Sequence, residues 1–278
     1  MPTDAPRVGT TVADRYRLVA ALGRGGMAAV YVAIDQTSDD RVALKILHPN
    51  LLDNDEALGR FEREARATMR VNHPNLVQAF GYGEHGAGFR YIVLEFLEGP
   101  TLEDYAHGRA PLPTDAVIRI GAAVAAALGE LHKRGVIHRD LKPSNIILQG
   151  SDPSAVKVFD LGLALHSSLS RVTSVGMRIG TPAFMAPEYI EEGRCDARSD
   201  LYSLGAILFE LASGTRVFEG VGRDIMFQQV ETEAPELEGR VPGLHPMGLS
   251  DLLAEMLRKD PQERPQNAQD VVTALRRL

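Results

Sequence analysis

The chain changes character at Glu98, Gly99 and Pro100, and that change limits what it can fold into. Ahead of it, strand-like runs dominate. Residues 16–26 ("YRLVAALGRGG") and 28–35 ("AAVYVAID") are β-rich and joined by glycines, a loose hairpin signal. Residues 41–47 ("RVALKIL") read as a third strand, and 76–84 and 89–97 as two more. Residues 55–72 have helical charge spacing, with Glu62 and Glu64 near Arg63 and Arg66. His73 ends that helix, because a residue before proline is pushed out of the α region. Beyond Pro100 helices take over. Residues 113–135 form one long apolar helix, with Thr114 or Asp115 placed to cap it and Gly135 to end it. Helical patterns return over 196–214, 250–260 and 267–278, while 160–195 is rich in Ser, Thr and Gly. A loop of that length in a compact domain is uncommon and often functional. The expected class is α+β: a small antiparallel β-rich lobe with one main helix, a short connector, and a larger, mostly helical lobe.

Composition narrows the function. The 278 residues, 44% apolar and 24% charged, are ordinary for a soluble globular chain and ample for a buried core. The net charge of -7, with no block of Lys or Arg, gives no nucleic-acid footprint. The single Cys195 cannot form an internal disulfide and fits a reducing cytosol. No signal-like segment opens the chain, and Gly or polar residues break the longest apolar runs before about 20 positions, so no membrane span is expected. Residues 1–15, with Pro2 and Pro6, read as a flexible leader.

Chemistry concentrates in a few places. Gly23, Gly25 and Gly26 lie between two strands, not between a strand and a helix, which argues against a dinucleotide fingerprint. Glycines let a backbone come close to phosphate oxygens, although a plain glycine hairpin has the same pattern. Lys45 sits in an apolar strand, where a cation is costly unless an anion meets it, and Glu64 is a candidate partner. Residues 136–145 ("VIHRDLKPSN") gather Asp140, Arg139, Lys142 and Asn145; a solvated turn after a helix is the plain alternative. Asp140 could orient a hydroxyl and take its proton, and Lys142 is a point charge suited to phosphate. Asp160 closes a Val-rich strand, and with Asn145 offers the oxygen ligands that Mg²⁺ prefers.

Taken in order, "GRGGMAAV", "VALK", "HRDLKPSN", "DLG", "GTPAFMAPE", "SDLYSLG" and Arg264 resemble the protein kinases, and more closely the bacterial, eukaryotic-type Ser/Thr protein kinases. The resemblance spans roughly 16–278. It implies a bilobal kinase fold, with an N-lobe at about 16–97 and a C-lobe at about 98–278. It implies ATP and Mg²⁺ (Mn²⁺ as an alternative), and protein Ser/Thr hydroxyls as acceptors. Lys45 would contact the α/β-phosphates and pair with Glu64; Asn145 and Asp160 would hold the metal; Asp140 would deprotonate the acceptor, and Lys142 would steady the γ-phosphate. Leu22, Val30, Ala43 and Ile147 would sandwich the adenine beneath the loop of Gly23, Gly25 and Gly26. The backbone at Glu95 and Leu97 would bond its edge, and Leu94 would guard the rear. Thr181 would bridge the Asp140–Lys142 region, Glu188 would pair with Arg264, and Asp200 would brace the loop at Asp140. Arg139 would answer a phosphate on the activation segment, at Thr173 first and Ser174 second. Related kinases dimerise through the small lobe, which implies a homodimer during autophosphorylation. A cytoplasmic location follows, with the chain as the cytoplasmic part of a longer, membrane-anchored protein as a variant of it. Two positions depart from the family pattern: Ala28 replaces the third loop glycine, and Leu161 replaces the usual Phe.

Overall fold

Residues 41–47 alternate along an extended chain, so that Val42, Leu44 and Ile46 face one side of a sheet and Ala43, Lys45 and Leu47 the other. In the computed structural model, which describes residues 6–86, 88–161 and 182–278, this strand is central to the first of two compact units. That unit comprises Met1–His73 and Val77–Leu97; the second comprises Pro74–Leu76 and Glu98–Leu278. The expected lobe boundary at 97/98 is therefore joined by an excursion at 74–76.

The first unit holds β1 (Thr11–Val12), β2 (Tyr16–Arg24), β3 (Ala28–Asp35), β4 (Arg41–Leu47), β5 (Ala79–His85) and β6 (Phe89–Glu95). They form one sheet in the order β1-β2-β3-β4-β6-β5, with every neighbouring pair antiparallel. One face packs Leu18, Tyr31, Val42, Leu44, Ile46 and Val93. The other packs Ala28, Leu47 and Ile92 against Phe61 and Ala65 of α1 (Asp55–Arg70). Asn54 starts α1 by accepting the Ala57 N–H at 3.0 Å, and Asp55 and Glu56 suit its positive end. Its buried stripe is Ala57, Phe61, Glu64, Ala65 and Thr68, the spacing of one helix face. The helix stops at Arg70, ahead of the proline signal, because Val71 turns extended and buries its side chain.

Part of the stretch expected as a flexible leader, 1–15, belongs to the sheet instead. Leu18 donates its N–H to Thr10 O at 2.9 Å, β1 pairs with β2, and Val12 enters the core. Arg15 then clamps Asp35 by two bonds of 2.8 and 2.6 Å. The buried Val12, the ion pair of Arg15 with Asp35 and the β1–β2 backbone bonds together hold this stretch on the sheet.

The second unit is mostly helical: α2 (Leu102–Ala106), α3 (Thr114–Lys133), α4 (Pro187–Glu192), α5 (Ala197–Ser213), α6 (Arg223–Glu231), α7 (Leu237–Arg240), α8 (Met247–Met256) and α9 (Ala268–Arg276), with a ribbon of β7 (Ile146–Leu148) and β8 (Val156–Val158). Helix α5 is buried almost all round and forms the centre, with α3 and α8 packed on it and α9 on α3. A Cβ at Gly205 would stand 2.9 Å from the Met256 Cβ, so only glycine lets α5 and α8 approach this closely. At the connector, a Cβ on Gly99 would lie 2.0 Å from Leu148 O, while Leu148 N–H donates to Pro100 O at 3.0 Å. Neither Thr114 nor Asp115 caps α3. Helix α3 starts after Pro113; the Thr114 hydroxyl bonds His245 Nδ1 at 2.8 Å, and Asp115 pairs with Arg119 one turn on. Within 160–195, expected as loop, the turn Pro182–Phe184 and α4 are ordered elements. Among the described residues no helix is long and apolar enough to cross a membrane.

Candidate active site

Helix α3 ends where Gly135 takes φ +71°, and Val136 folds back with its N–H on Leu131 O. The loop that follows is pinned from beneath. Asp200, 1% exposed in the first turn of α5, accepts the His138 and Arg139 N–H groups at 2.9 Å each and the His132 Nε2–H at 2.7 Å. A carboxylate this deep is tolerable because three donors meet it. His138 is fully buried and donates through Nε2 to Phe159 O at 3.3 Å, so it packs the loop and holds the residue before Asp160. Arg139 has φ +68°, an uncommon conformation for a non-glycine residue, and the Asp200 bond to its N–H fixes it.

On this base Asp140 and Lys142 come together. Lys142 Nζ donates to Asp140 Oδ2 at 2.7 Å. Asn145 Nδ2 donates to Asp140 O at 2.8 Å and to Asp140 Oδ2 at 3.3 Å. With its nitrogen committed to Asp140, the Asn145 amide presents its oxygen elsewhere. Asn145 O accepts the Phe159 N–H at 3.0 Å, which ties the loop to Asp160, itself at φ +59°. Ile147 lies on β7 opposite Lys157. Phe184, Met185 and Ala186 border a cavity of about 10 Å³, room for one water, whose other walls include Asp140 and Lys142.

The first unit carries the other charged pair. Lys45 Nζ donates to Glu64 Oε1 at 2.5 Å, with both side chains largely out of solvent. Register explains this. Val30 pairs with Lys45, Val32 with Ala43, Lys45 with Ile92 and Ala43 with Leu94, so Val30, Ala43, Lys45 and Leu94 share the sheet face toward which α1 packs. Glu64, the one acid in the buried stripe of α1, meets Lys45 on that face. Gly23 pairs with Val30, and Gly25 closes the β2–β3 turn by donating to Ala28 O at 2.9 Å. His48 Nε2 lies 2.8 Å from Gly25 O, and Gly26 and the exposed Leu22 flank the same turn. Ala28, the departure from the loop pattern, is buried against Leu47. Glu95 donates its N–H to Gln78 O, and Leu97 is the last residue of this unit.

A protein kinase domain model matches residues 16–274. The chain is a protein kinase domain. The probable serine/threonine-protein kinase PknB of Lactococcus lactis is 35% identical to it over 269 residues, which cover 96% of this chain and 42% of that relative's length. The crystal structure of the Mycobacterium tuberculosis PknI kinase domain superposes with a TM-score of 0.74 at 27% identity, covering 98% of this chain and 99% of that one. Rad53 1-466 in complex with AMP-PNP gives 0.75 at 27% identity, covering 93% and 64%. The kinase domain thus belongs with the bacterial serine/threonine kinases.

Elsewhere in the kinase domain, Glu188 and Arg264 form the expected pair, and Ser199 Oγ also donates to Glu188 Oε1 at 2.6 Å. Cys195 lines the small cavity, and burial pushes its thiol well above the ordinary range. Thr173, Ser174 and Thr181 lie outside the described residues. Sequence reasoning missed His132, whose bond to Asp200 crosses 68 positions, and Tyr202 and Gln229, which meet across 27. For His132 and Tyr202 the local signal was polar character inside apolar helices; Gln229, in the mixed sequence of α6, gave none.

Proposed function

We propose that this kinase domain transfers the γ-phosphoryl group of ATP to Ser and Thr hydroxyls of proteins. The observation that carries this is the Asp140 carboxylate beside the Lys142 ammonium at 2.7 Å, on a loop whose backbone Asp200 fixes. Asp140 takes the hydroxyl proton as the oxygen attacks, and Lys142 sets its charge against the γ-phosphate oxygens. Lys45, held by Glu64, meets the α/β-phosphates under the loop of Gly23, Gly25 and Gly26. Leu22, Val30, Ala43 and Ile147 supply apolar contact for the base, Leu94 limits its depth, and the backbones of Glu95 and Leu97 bond its edge. The AMP-PNP bound by the structurally similar Rad53 supports a nucleotide here.

A divalent cation fits the donor set. Asn145 offers an amide oxygen and Asp160 a carboxylate, hard ligands for Mg²⁺, with Mn²⁺ as a substitute. When bound, the cation neutralises charge on the phosphate oxygens. Serine and threonine are the acceptors because Lys142 follows Asp140 by two positions, as in the Ser/Thr kinases the chain resembles. We assign autophosphorylation to Thr173, then Ser174, carried out between two copies of the chain, and a cytoplasmic setting where ATP is available.

The test is transfer from labelled ATP with Mg²⁺ to a generic basic protein, with mass-spectrometric mapping of the label. Wild type labels Ser and Thr, including 173 or 174, and Asp140→Asn lowers turnover by roughly 10²–10⁴. Wild type that labels nothing, with Mn²⁺ also tried, overturns the reading.

A further inference from the structure

Helix α6 buries one polar side chain completely. Gln229 is 0% exposed, yet each polar atom of its carboxamide has a partner. Nε2 donates to Ala183 O at 2.7 Å and to Pro182 O at 3.2 Å, and Oε1 accepts the Tyr202 hydroxyl. Rotating the amide by half a turn would set an oxygen against two carbonyls, so the network itself fixes the orientation. Lys259 reinforces the arrangement from outside, donating to Gln229 O at 2.7 Å with its ammonium 4.6 Å from the Phe218 ring centre. A buried amide is expensive unless it is satisfied, and a leucine would fill the same helix face at no such risk.

The partners show what the amide is for. Pro182 and Ala183 lead directly into Phe184, Met185 and Ala186, the residues that share the small cavity with Asp140 and Lys142. Ser203 of α5 holds the next carbonyl, donating to Phe184 O at 2.7 Å. Two helices thus set the path of a short stretch with little ladder bonding of its own, beside the proposed base. From α6, Gln229 reaches the start of that stretch with two hydrogen bonds.

We propose that Gln229 is a positioning residue for the protein acceptor: its carboxamide fixes the backbone at Pro182 and Ala183 and thereby the wall against which the acceptor Ser or Thr segment lies. This rests on the kinase reading above. The Gln229 carboxamide bonds Tyr202, Pro182 and Ala183 and none of the residues assigned to the nucleotide, so its loss acts on the acceptor and not on ATP.

The experiment uses the purified chain and synthetic peptides with a single Ser or Thr. Gln229→Met, similar in length but without donors, raises the peptide KM about tenfold while the ATP KM stays within about twofold. Gln229→Glu keeps an acceptor for Tyr202 but aims oxygen at two carbonyls, and behaves like the methionine variant. Tyr202→Phe keeps the ring and both amide donors, and raises the peptide KM about threefold. Unchanged peptide KM in Gln229→Met, with only a lowered melting temperature, overturns the positioning role. If that variant does not fold, unchanged peptide KM in Tyr202→Phe overturns it instead. Wild type that transfers no phosphate refutes the kinase reading itself, and the acceptor role with it.

Discussion

Arg264 meets Glu188 through two parallel N–H···O bonds of 2.9 and 2.8 Å, with the guanidinium wholly out of solvent. The same guanidinium donates to the carbonyls of Arg198, Arg258 and Lys259 and lies 4.8 Å from the Tyr202 ring centre. Removing one half leaves a charge buried without its counter-charge. Arg264→Met lowers unfolding stability by about 3–5 kcal/mol in urea titrations, and adding Glu188→Leu recovers part of it. A single-variant loss below about 1 kcal/mol would contradict this account.

Asp200 holds two consecutive backbone N–H groups, and Asp140 is the next residue in the chain. Asp200→Asn turns an amide N–H toward one of those donors and shifts the loop. Turnover falls about 10²-fold with little change in ATP KM, since displacement of the base by about 1 Å is enough. Steady-state kinetics at saturating ATP check this; wild-type turnover would show that the brace is dispensable.

Glu64 lies in the buried stripe of α1, where Lys45 faces it. Glu64→Ala removes the carboxylate that fixes the Lys45 ammonium in place. The expected result is a fall in kcat/KM for ATP of at least about tenfold, with peptide KM little changed. Varying ATP and peptide separately distinguishes this from general damage to the fold.

Asp35 titrates far from the usual carboxylate range. Hydrogen bonds from Arg15 hold its folded pKa well down, aided by the Thr37 hydroxyl and N–H and opposed by burial. A depressed carboxylate contributes stability above its unfolded pKa, near 3.8, and loses it as pH falls toward the folded value. Arg15→Met is therefore less stable than wild type at pH 7 and pH 5, and the gap narrows below pH of about 3.8. Urea midpoints at several pH values test the slope; a gap independent of pH would place the effect of Arg15 in packing over Tyr16, where its guanidinium lies 5.1 Å from the ring centre.

Much of this fold was legible because its signals are local. The alternation at 41–47 and the apolar periodicity of 113–135 each identify an element without outside help. Asp140, Lys142 and Asn145 lie within six residues, so their meeting was readable from spacing alone. The Thr114 cap failed because its hydroxyl finds His245, 131 positions away, and no local rule sees that partner. The two-residue β1 was invisible for a similar reason: Val12 belongs to the core only once β2 is in place. His132 and Gln229 share this limit, since their roles are set by acceptors on other helices and loops.

The short excursion at Pro74–Leu76 has a consequence during synthesis. Asn75 Nδ2 bonds Val156 O across 81 positions, and Asn75 O accepts the Val158 N–H. These residues leave the ribosome well before their partner strand. At about 5–20 residues per second, on the order of 4–16 s pass between the synthesis of Asn75 and that of its β8 partners. The bonds from Asn75 to Val156 and Val158 form only once β8 emerges, so any helper that binds nascent chains meets this protein before those bonds are made.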